Sequence, residues 1–313
     1  MLQVAIRSGD SPVSKYTLKT FQTEYPDDAA CLDKVLAMRY GGPVFECPHC
    51  KKHSTFHRIT KRRAYACQGC GHHIYPCAGT VFQDSRTKLT LWFYAMYLFT
   101  SSRHGVPAKE LERQLGVTYK TAWRIGHELR KLMAAADKGG SQNGPLSGHV
   151  EVDEAYVGGK PRYKGNNTRG RGAANKAIVL GLAERNGNIR AGVVPNIKGS
   201  TLQNAIEANV ECGSTISTDE LKSYIGLEKR GFKHLTVSHG KGEYVRGDAH
   251  TNTIEGFWSR LKLSIRGTHI HVSKRHLWKY SSEFAFRYNM RKQPAAMFDQ
   301  MIFALALPRL KDD

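Results

Sequence analysis

The segment His149–Val157 has the sequence HVEVDEAYV, which sets Asp153 inside an apolar stretch that predicts a β-strand. A carboxylate buried in such a strand is costly unless a cation compensates its charge. Residues 214–218 predict a second strand that is followed at once by Asp219, and Glu255 lies in a helix predicted further along the chain. Metal ions that act on phosphodiesters are held by carboxylates converging from different elements. The three acids therefore predict a metal-dependent centre.

The order of elements around this segment indicates an α/β fold. Hairpin-like strands come first, and strands alternating with helices follow, which is typical of a mixed sheet packed by helices. Strands are predicted at residues 149–157, 177–183, 189–194, 214–218 and 235–238. Helices are predicted at residues 200–210, 220–230, 252–265 and 274–290.

Composition and charge narrow the class of partner. The chain has 313 residues, 40% of them hydrophobic, so it can bury a sizeable core. Its 47 Lys and Arg against 27 Asp and Glu give a net charge of +20, which predicts a polyanionic partner. The longest apolar run, residues 91–99, is shorter than the roughly 20 residues needed to span a bilayer. We therefore expect a cytoplasmic, nucleoid-associated protein that does not contact a membrane.

Two CxxC pairs predict a structural zinc ion. Cys47 and Cys50 precede Cys67 and Cys70 at the spacing of a four-thiolate zinc ribbon. A mixed ligand set is the alternative, since other metal-binding side chains lie nearby: His49, His53, His57, His72, His73 and Cys77. The arm between the pairs carries four basic residues that we expect to contact DNA, although a structural knuckle with solvated charges would have them too: Arg58, Lys61, Arg62 and Arg63.

Residues 106–124 have the spacing of a helix-turn-helix, with Gly116 at the bend. The second helix would begin with residues that meet base edges and phosphates: Thr118, Tyr119, Lys120, Thr121 and Arg124. Five apolar residues are expected to form the core between the helices: Leu111, Leu115, Ala122, Trp123 and Ile125. An ordinary helical hairpin is the alternative.

The predicted helix 252–265 has a polar and an apolar face. Asn252, Glu255 and Lys262 fall on the polar face. A capping box, with Asn252 as N-cap and Glu255 three residues later, would also explain the first two. The aspartates upstream favour a catalytic interpretation.

Three motifs resemble one family: VDEAYVGG at residues 152–159, STDELKSY at residues 217–224 and HTNTIEGFWSRLK at residues 250–262. They are similar to insertion-sequence transposases with an RNase H-like catalytic domain of the DDE type. The resemblance is specifically to the bacterial family named after insertion sequence fifteen-ninety-five. It implies an α/β fold in which a zinc ribbon and a small helical helix-turn-helix domain precede an RNase H-like catalytic domain.

The resemblance also implies roles for individual residues. Asp153 and Asp219 would bind two Mg²⁺ or Mn²⁺ ions, and the third ligand would be Glu255 or Asn252. We favour Glu255, because a carboxylate binds Mg²⁺ better than an amide does. Lys262 would contact a phosphate near the cleaved bond.

The function implied is DNA transposition. The protein would bind the terminal inverted repeats of its insertion sequence as double-stranded DNA, cleave the ends and join them to target DNA. Because two ends must be held together, we expect a homodimer or higher homo-oligomer. Two alternatives are a non-enzymatic DNA-binding regulator and a nuclease of the same fold without strand transfer.

Six segments follow from these patterns. They are a helical lead-in (1–46), the zinc ribbon (47–80), the helix-turn-helix domain (85–136), a Gly-, Ser- and Asn-rich linker (137–148), the catalytic domain (149–292) and a C-terminal helical tail (293–313).

Overall fold

The computed structural model describes residues 16–139, 144–158, 176–237 and 250–310. These residues divide into two units. The N-terminal unit comprises residues 16–139 and 292–310, and the α/β unit comprises the described residues from 144 to 291. The first part of the predicted lead-in, the middle of the predicted linker and the end of the predicted tail lie outside the described residues. No helix in the described part of the chain is long and apolar enough to cross a membrane.

Side-chain caps begin the first two helices, α1 (Leu18–Glu24) and α2 (Asp28–Tyr40). The Thr17 hydroxyl accepts the N–H of Thr20, and the Asp27 carboxylate accepts that of Ala30. Both helices lie within the predicted helical lead-in, residues 1–46. An antiparallel four-stranded sheet follows, in the order β1 (Val44–Glu46), β2 (His53–Arg58), β3 (Tyr65–Cys67) and β4 (His73–Ile74).

The rest of the N-terminal unit is helical. It consists of α3 (Leu89–Ser101), α4 (Ala108–Leu115), α5 (Tyr119–Gly139) and, from the predicted tail, α9 (Met297–Phe303). Helix α9 contacts α2, α3 and α5, and its Phe298 ring packs against the rings of Tyr16 and Tyr25. The C-terminal segment therefore completes the core of the N-terminal unit.

The turn between α4 and α5 departs from prediction at one residue. Gly116 ends α4 with a left-handed φ of 63°, a conformation common for a glycine at the C-terminus of a helix. The buried Ala122 and Ile125 fit the predicted core, but Trp123 is 38% exposed and its ring centroid lies 3.8 Å from that of His127. The prediction for Trp123 was wrong. Successive side chains on a helix are about 100° apart, so the residue after buried Ala122 points away from the core.

The α/β unit is built on one five-stranded sheet in the order β7-β6-β5-β8-β9. Strands β5, β6 and β7 pair antiparallel in succession, whereas β8 is parallel to β5 and β9 is parallel to β8. The strands are β5 (His149–Val157), β6 (Ala177–Glu184), β7 (Ile189–Val194), β8 (Thr215–Thr218) and β9 (Lys233–Thr236). The mixed α/β class predicted from the sequence is confirmed.

Helices pack on both faces of this sheet. They are α6 (Gly199–Glu207), α7 (Asn252–Ser264) and α8 (Leu277–Asn289). Val150 and Val152 share a buried cluster with α6, while Ala155 and Val157 share another with α7 and α8. Since side chains alternate along a strand, Asp153 points to the same face as Ala155 and Val157, toward α7.

Residues 220–230, predicted as a helix, instead form two 3₁₀ turns, Lys222–Tyr224 and Leu227–Arg230. Gly226 and Gly231 adopt positive φ angles of 101° and 86°, which interrupt any continuous helix.

Helix α7 approaches the sheet closely at Gly181, which pairs with Asp153 across β5 and β6. A β-carbon at residue 181 would lie 2.5 Å from Ile254 Cδ1 and 2.5 Å from Trp258 Cζ2. The absence of a side chain therefore lets α7 pack beside Asp153.

We expect Gly181→Ala to lower the free energy of unfolding by about 1–3 kcal/mol, because the new methyl group displaces α7. Gly192→Ala, on neighbouring β7, is the control: it meets no atom within 4 Å and should stabilise by about 0.5 kcal/mol. Urea unfolding measures both. Equal effects of the two substitutions would contradict the close approach.

Candidate functional site

The pairing of β5 with β8 sets the two predicted aspartates side by side. Glu151 pairs with Ser217 in parallel register, so Asp153 and Asp219 occupy matching positions two residues further along. Asp219 directly follows β8, and its Oδ1 accepts the backbone N–H of Leu221 at 3.0 Å. The register therefore sets Asp153, in the middle of β5, beside Asp219, which lies just past the end of the shorter β8.

Burial and mutual repulsion shape the chemistry of Asp153. Burial raises its pKa to about 6, and the negative charges of Asp219 and Glu255 act in the same direction. The indole Nε1 of Trp258 donates a hydrogen bond to Asp153 Oδ2 at 2.9 Å. A buried carboxylate whose pKa is raised by neighbouring acids is a candidate functional group.

The third predicted acid is presented by α7. Asn252 and Glu255 are exposed and Lys262 is half-buried, so the polar face stays open, while Ile254 and Trp258 are buried on the opposite face. The structure thus brings Glu255 near enough to Asp153 to affect its pKa.

The capping-box interpretation fits only in part. Thr251, not Asn252, occupies the N-cap position of α7. The hydroxyl of Thr251 donates to Glu255 Oε1 at 2.8 Å, so the acid is held by a local contact without a full capping box.

The acid next to Asp153 points the other way. Glu154 Oε2 accepts a hydrogen bond from the hydroxyl of Tyr224 at 2.7 Å, and Tyr224 belongs to the buried cluster on the α6 face. Burial raises the pKa of Glu154 to about 7, despite that hydrogen bond. Sequence analysis did not single out Tyr224, although it stands in the STDELKSY motif.

The four cysteines of the ribbon form a compact cluster. Their sulfurs lie within 4.8 Å of one another, and those of Cys47 and Cys70 are 3.7 Å apart. A tetrahedral zinc ion with Zn–S bonds of about 2.3 Å would separate its sulfurs by about 3.8 Å. Within the described residues this is the one cluster of side chains that meets the geometry of a metal site. The Cys₄ set supports a structural zinc ion.

The cysteines of the cluster differ in acidity, and the pKa of Cys70 is raised to about 12. A hydrogen bond with the hydroxyl of Ser54 is the main reason that the pKa of Cys67 is lowered to about 6. Burial raises the pKa of nearby Cys77 to about 11, so this thiol stays protonated. The rings of His49 and His72 stack on each other 5.3 Å apart, outside the sulfur cluster.

Two of the arginines predicted to contact DNA also bind other residues of the N-terminal unit. Arg63 donates to the backbone carbonyls of Ser85 and Thr87 at 2.9 Å and 2.7 Å. Arg124 donates to the Ser85 hydroxyl at 3.1 Å, and its guanidinium lies 5.6 Å from the ring centroid of Trp92.

The remaining basic and polar candidates are more accessible. In the ribbon arm Lys61 and Arg62 are exposed, and Arg58 is exposed while lying 3.6 Å from Asp33. At the start of α5, Thr118, Tyr119 and Lys120 are exposed and Thr121 is half-buried, with its N–H bonded to the Thr118 hydroxyl.

Comparisons with known proteins match both parts of the chain. Residues 145–289 match the ISXO2-like transposase domain, and residues 26–73 match the transposase zinc-ribbon domain. A protein of Halobacterium salinarum, described as an uncharacterized protein in transposable element ISH50, is 30% identical over 309 residues, covering 93% of this chain and 99% of that protein.

Similarity to solved structures is much weaker. The Mos1 strand transfer complex is 11% identical and covers 66% of this chain and 77% of its own at a TM-score of 0.24. A pre-cleavage Mos1 transpososome is 11% identical and covers 71% and 80% at a TM-score of 0.22. Scores this low carry no conclusion about this chain.

The two matched domains and the full-length relative define the chain as a transposase of the insertion-sequence type, which carries a zinc ribbon. Within that class it belongs to the IS1595 family.

We expect the purified protein to contain about one zinc ion per chain and to lose it when Cys47 or Cys67 is replaced by Ser, because the tetrahedral set is then incomplete. Cys77→Ser is the control and should keep its zinc. Metal content by mass spectrometry measures both. Loss of zinc in Cys77→Ser would indicate a mixed ligand set.

Proposed function

We propose that this transposase binds the terminal inverted repeats of its own element as double-stranded DNA, cleaves the element ends and joins each freed 3′-hydroxyl to target DNA. The observation that carries the proposal is the parallel register of β5 and β8, which sets Asp153 beside Asp219, with Glu255 on α7, the helix that contacts β5.

The sheet order supports an RNase H-like catalytic domain. An antiparallel run of three strands is followed by two parallel strands on the other side of β5, and helices pack on both faces. In this arrangement the first strand is central, and the acids it carries meet those at the end of its parallel neighbour.

We assign Asp153, Asp219 and Glu255 to hold two Mg²⁺ or Mn²⁺ ions. The negative charges of Asp219 and Glu255, which act on buried Asp153, support a bound cation at this place. Bound divalent ions would lower the pKa of the attacking water or hydroxyl and stabilise the charge on the leaving oxygen. Glu255 is preferred over Asn252 as the third ligand, because hard cations favour a charged carboxylate.

Other side chains orient the site. The indole of Trp258 donates to Oδ2 of Asp153 and so orients this carboxylate. Lys262 lies on the same helix as Glu255 and is suited to bind a DNA phosphate near the cleaved bond. Asn252, exposed one turn before Glu255, is suited to contact DNA.

The DNA interface is assigned to the ribbon arm and a helix-turn-helix formed by α4 and α5. Lys61 and Arg62 carry exposed charge in the arm, and Tyr119 and Lys120 stand at the exposed start of α5. A recognition helix uses these N-terminal positions to contact bases and phosphates. Two element ends must be held for joining, so the active form is a homodimer or higher homo-oligomer.

We expect Asp153→Asn, Asp219→Asn and Glu255→Gln each to lower end cleavage by about a thousandfold, since a metal ion contributes several kcal/mol to the barrier. DNA affinity should not fall. The assay uses DNA carrying the element's own ends with Mg²⁺, and scores cleaved and joined products separately. Glu220→Gln, an exposed acid next to Asp219, is the control and should retain activity.

The same assay separates the alternatives. Binding without cleavage by the unsubstituted protein would favour a regulator. Cleavage without joining would favour a nuclease of the same fold.

We expect Lys120→Ala to weaken binding of the element end and to reduce the slope of log K against log salt by about one, because one phosphate contact is lost. Lys19→Ala, an exposed lysine of α1, should leave both quantities unchanged. Fluorescence anisotropy at several salt concentrations measures the slope. A slope unchanged in Lys120→Ala would remove this residue from the interface.

A further inference from the structure

A buried carboxylate that the proposed centre does not use lies two residues before Asp153. Glu151 is 0% exposed on β5, and its side chain points to the same sheet face as Asp153 because strand side chains alternate. Its Oε1 lies 3.1 Å from Arg185 Nε and 3.0 Å from Nδ1 of His250. A carboxylate removed from water in this way is retained only where close partners compensate its charge.

Glu151 also holds the first turn of α7. The backbone N–H groups of Thr253 and Ile254 donate to its Oε2 at 2.7 Å and 3.2 Å, and the Thr253 hydroxyl donates to Oε1 at 2.9 Å. The first N–H groups of a helix have no partner within the helix, and negative charge is favourable there. A strand residue thus caps the helix that carries Glu255.

Arg185 extends these contacts to β8. Its Nη1 lies 3.1 Å from Nδ1 of His149, and because a guanidinium only donates, Nδ1 accepts and Nε2 carries the ring proton. Nε2 lies 2.7 Å from the hydroxyl oxygen of Ser217, which is also 0% exposed. Arg185 Nη2 donates to the backbone carbonyl of His250, just before α7, at 3.3 Å.

These contacts form one network, made of Glu151, Arg185, His149, Ser217 and Thr253. It reaches each of the three elements that carry a proposed ligand. In every case the network residue lies two positions before that ligand. The pairs are Glu151 and Asp153, Ser217 and Asp219, and Thr253 and Glu255.

We propose that Glu151 is a positioning residue of the metal centre. Through Arg185 and His149 it fixes β8, and through Thr253 and Ile254 it fixes α7, so that carboxylates from three separate elements converge on the same ions. This inference rests on the proposed function, because it assumes that Asp153, Asp219 and Glu255 are the ligands. Misplacement of a reacting group by even 1 Å costs about a hundredfold in rate, so such a network has a direct catalytic consequence.

Glu151→Gln tests the proposal, with Glu283→Gln as the matched control. Glu283 is also 0% exposed in the α/β unit and forms an ion pair with Arg287 at 2.7 Å, but it lies within α8. Two Mg²⁺ titrations are carried out. The first measures the melting temperature of the protein without DNA, and the second measures cleavage of the element end. Glu151→Gln should raise the half-saturating Mg²⁺ concentration about tenfold or more in both. Glu283→Gln should match the unsubstituted protein in both, and DNA affinity should be the same in all three.

A double-substitution cycle separates positioning from general stability. If Glu151 places Glu255 as well as Asp219, then Glu151→Gln should raise the half-saturating Mg²⁺ concentration by a smaller factor in a Glu255→Gln background than in the unsubstituted protein. Fully additive effects would overturn the proposal, because the residue would then act independently of the ligand.

Thr253→Val is the test if Glu151→Gln does not fold. It removes the hydrogen bond from the Thr253 hydroxyl to Glu151 and leaves the buried ion pair of Glu151 with Arg185 intact. It should raise the half-saturating Mg²⁺ concentration in the same direction, by about threefold. An unchanged Mg²⁺ requirement in Thr253→Val would overturn the proposal.

An unsubstituted protein that responds to Mg²⁺ and cleaves DNA, together with an unchanged Glu151→Gln, would refute this inference alone. An unsubstituted protein without any Mg²⁺ response would contradict the proposed function and this inference with it.

Discussion

The parallel pairing of β5 with β8 is the constraint on which the rest of the α/β unit depends. It fixes Asp153 opposite Asp219 and, because strand side chains alternate, it also fixes which acids face α7 and which face α6. A slip of one residue would exchange Asp153 with Glu154 and turn Asp153 toward the apolar cluster under α6. Register therefore determines which acids converge at this place in the sheet.

The packing of α7 is the second constraint, and it works through a missing side chain. Gly181 lets Ile254 and Trp258 approach the sheet, and this approach brings the Trp258 indole to Asp153. Hydrogen bonds from the Trp258 indole and the Glu154 backbone do not offset the burial of this carboxylate, since the pKa of Asp153 is still raised to about 6. Buried acids with raised pKa values are frequent at functional sites. The acids that surround Asp153 are consistent with the cation site that we propose.

Local patterns were sufficient to predict most of the elements and the zinc cluster. Apolar runs predicted all five strands of the α/β sheet, and the CxxC spacing predicted the Cys₄ set. What they missed depends on contacts between distant segments. Nothing near Glu151 in the sequence indicates that Arg185 and the start of α7 surround it, although its position two residues before Asp153 placed it on the same strand face. Likewise, the sequence pattern near α9 does not indicate that this helix packs against α2, α3 and α5.

Two of the basic residues predicted to contact DNA also make contacts within the fold. Arg63 and Arg124 both converge on the segment before α3, where their guanidinium groups bind backbone and hydroxyl oxygens. These arginines stabilise the unit that would carry the interface, and their substitution would weaken DNA binding through the fold. The exposed Lys61, Arg62 and Lys120 differ, because their ammonium and guanidinium groups are accessible to a phosphate. The salt dependence of binding distinguishes these two kinds of residue, since only a lost phosphate contact changes the number of counterions released.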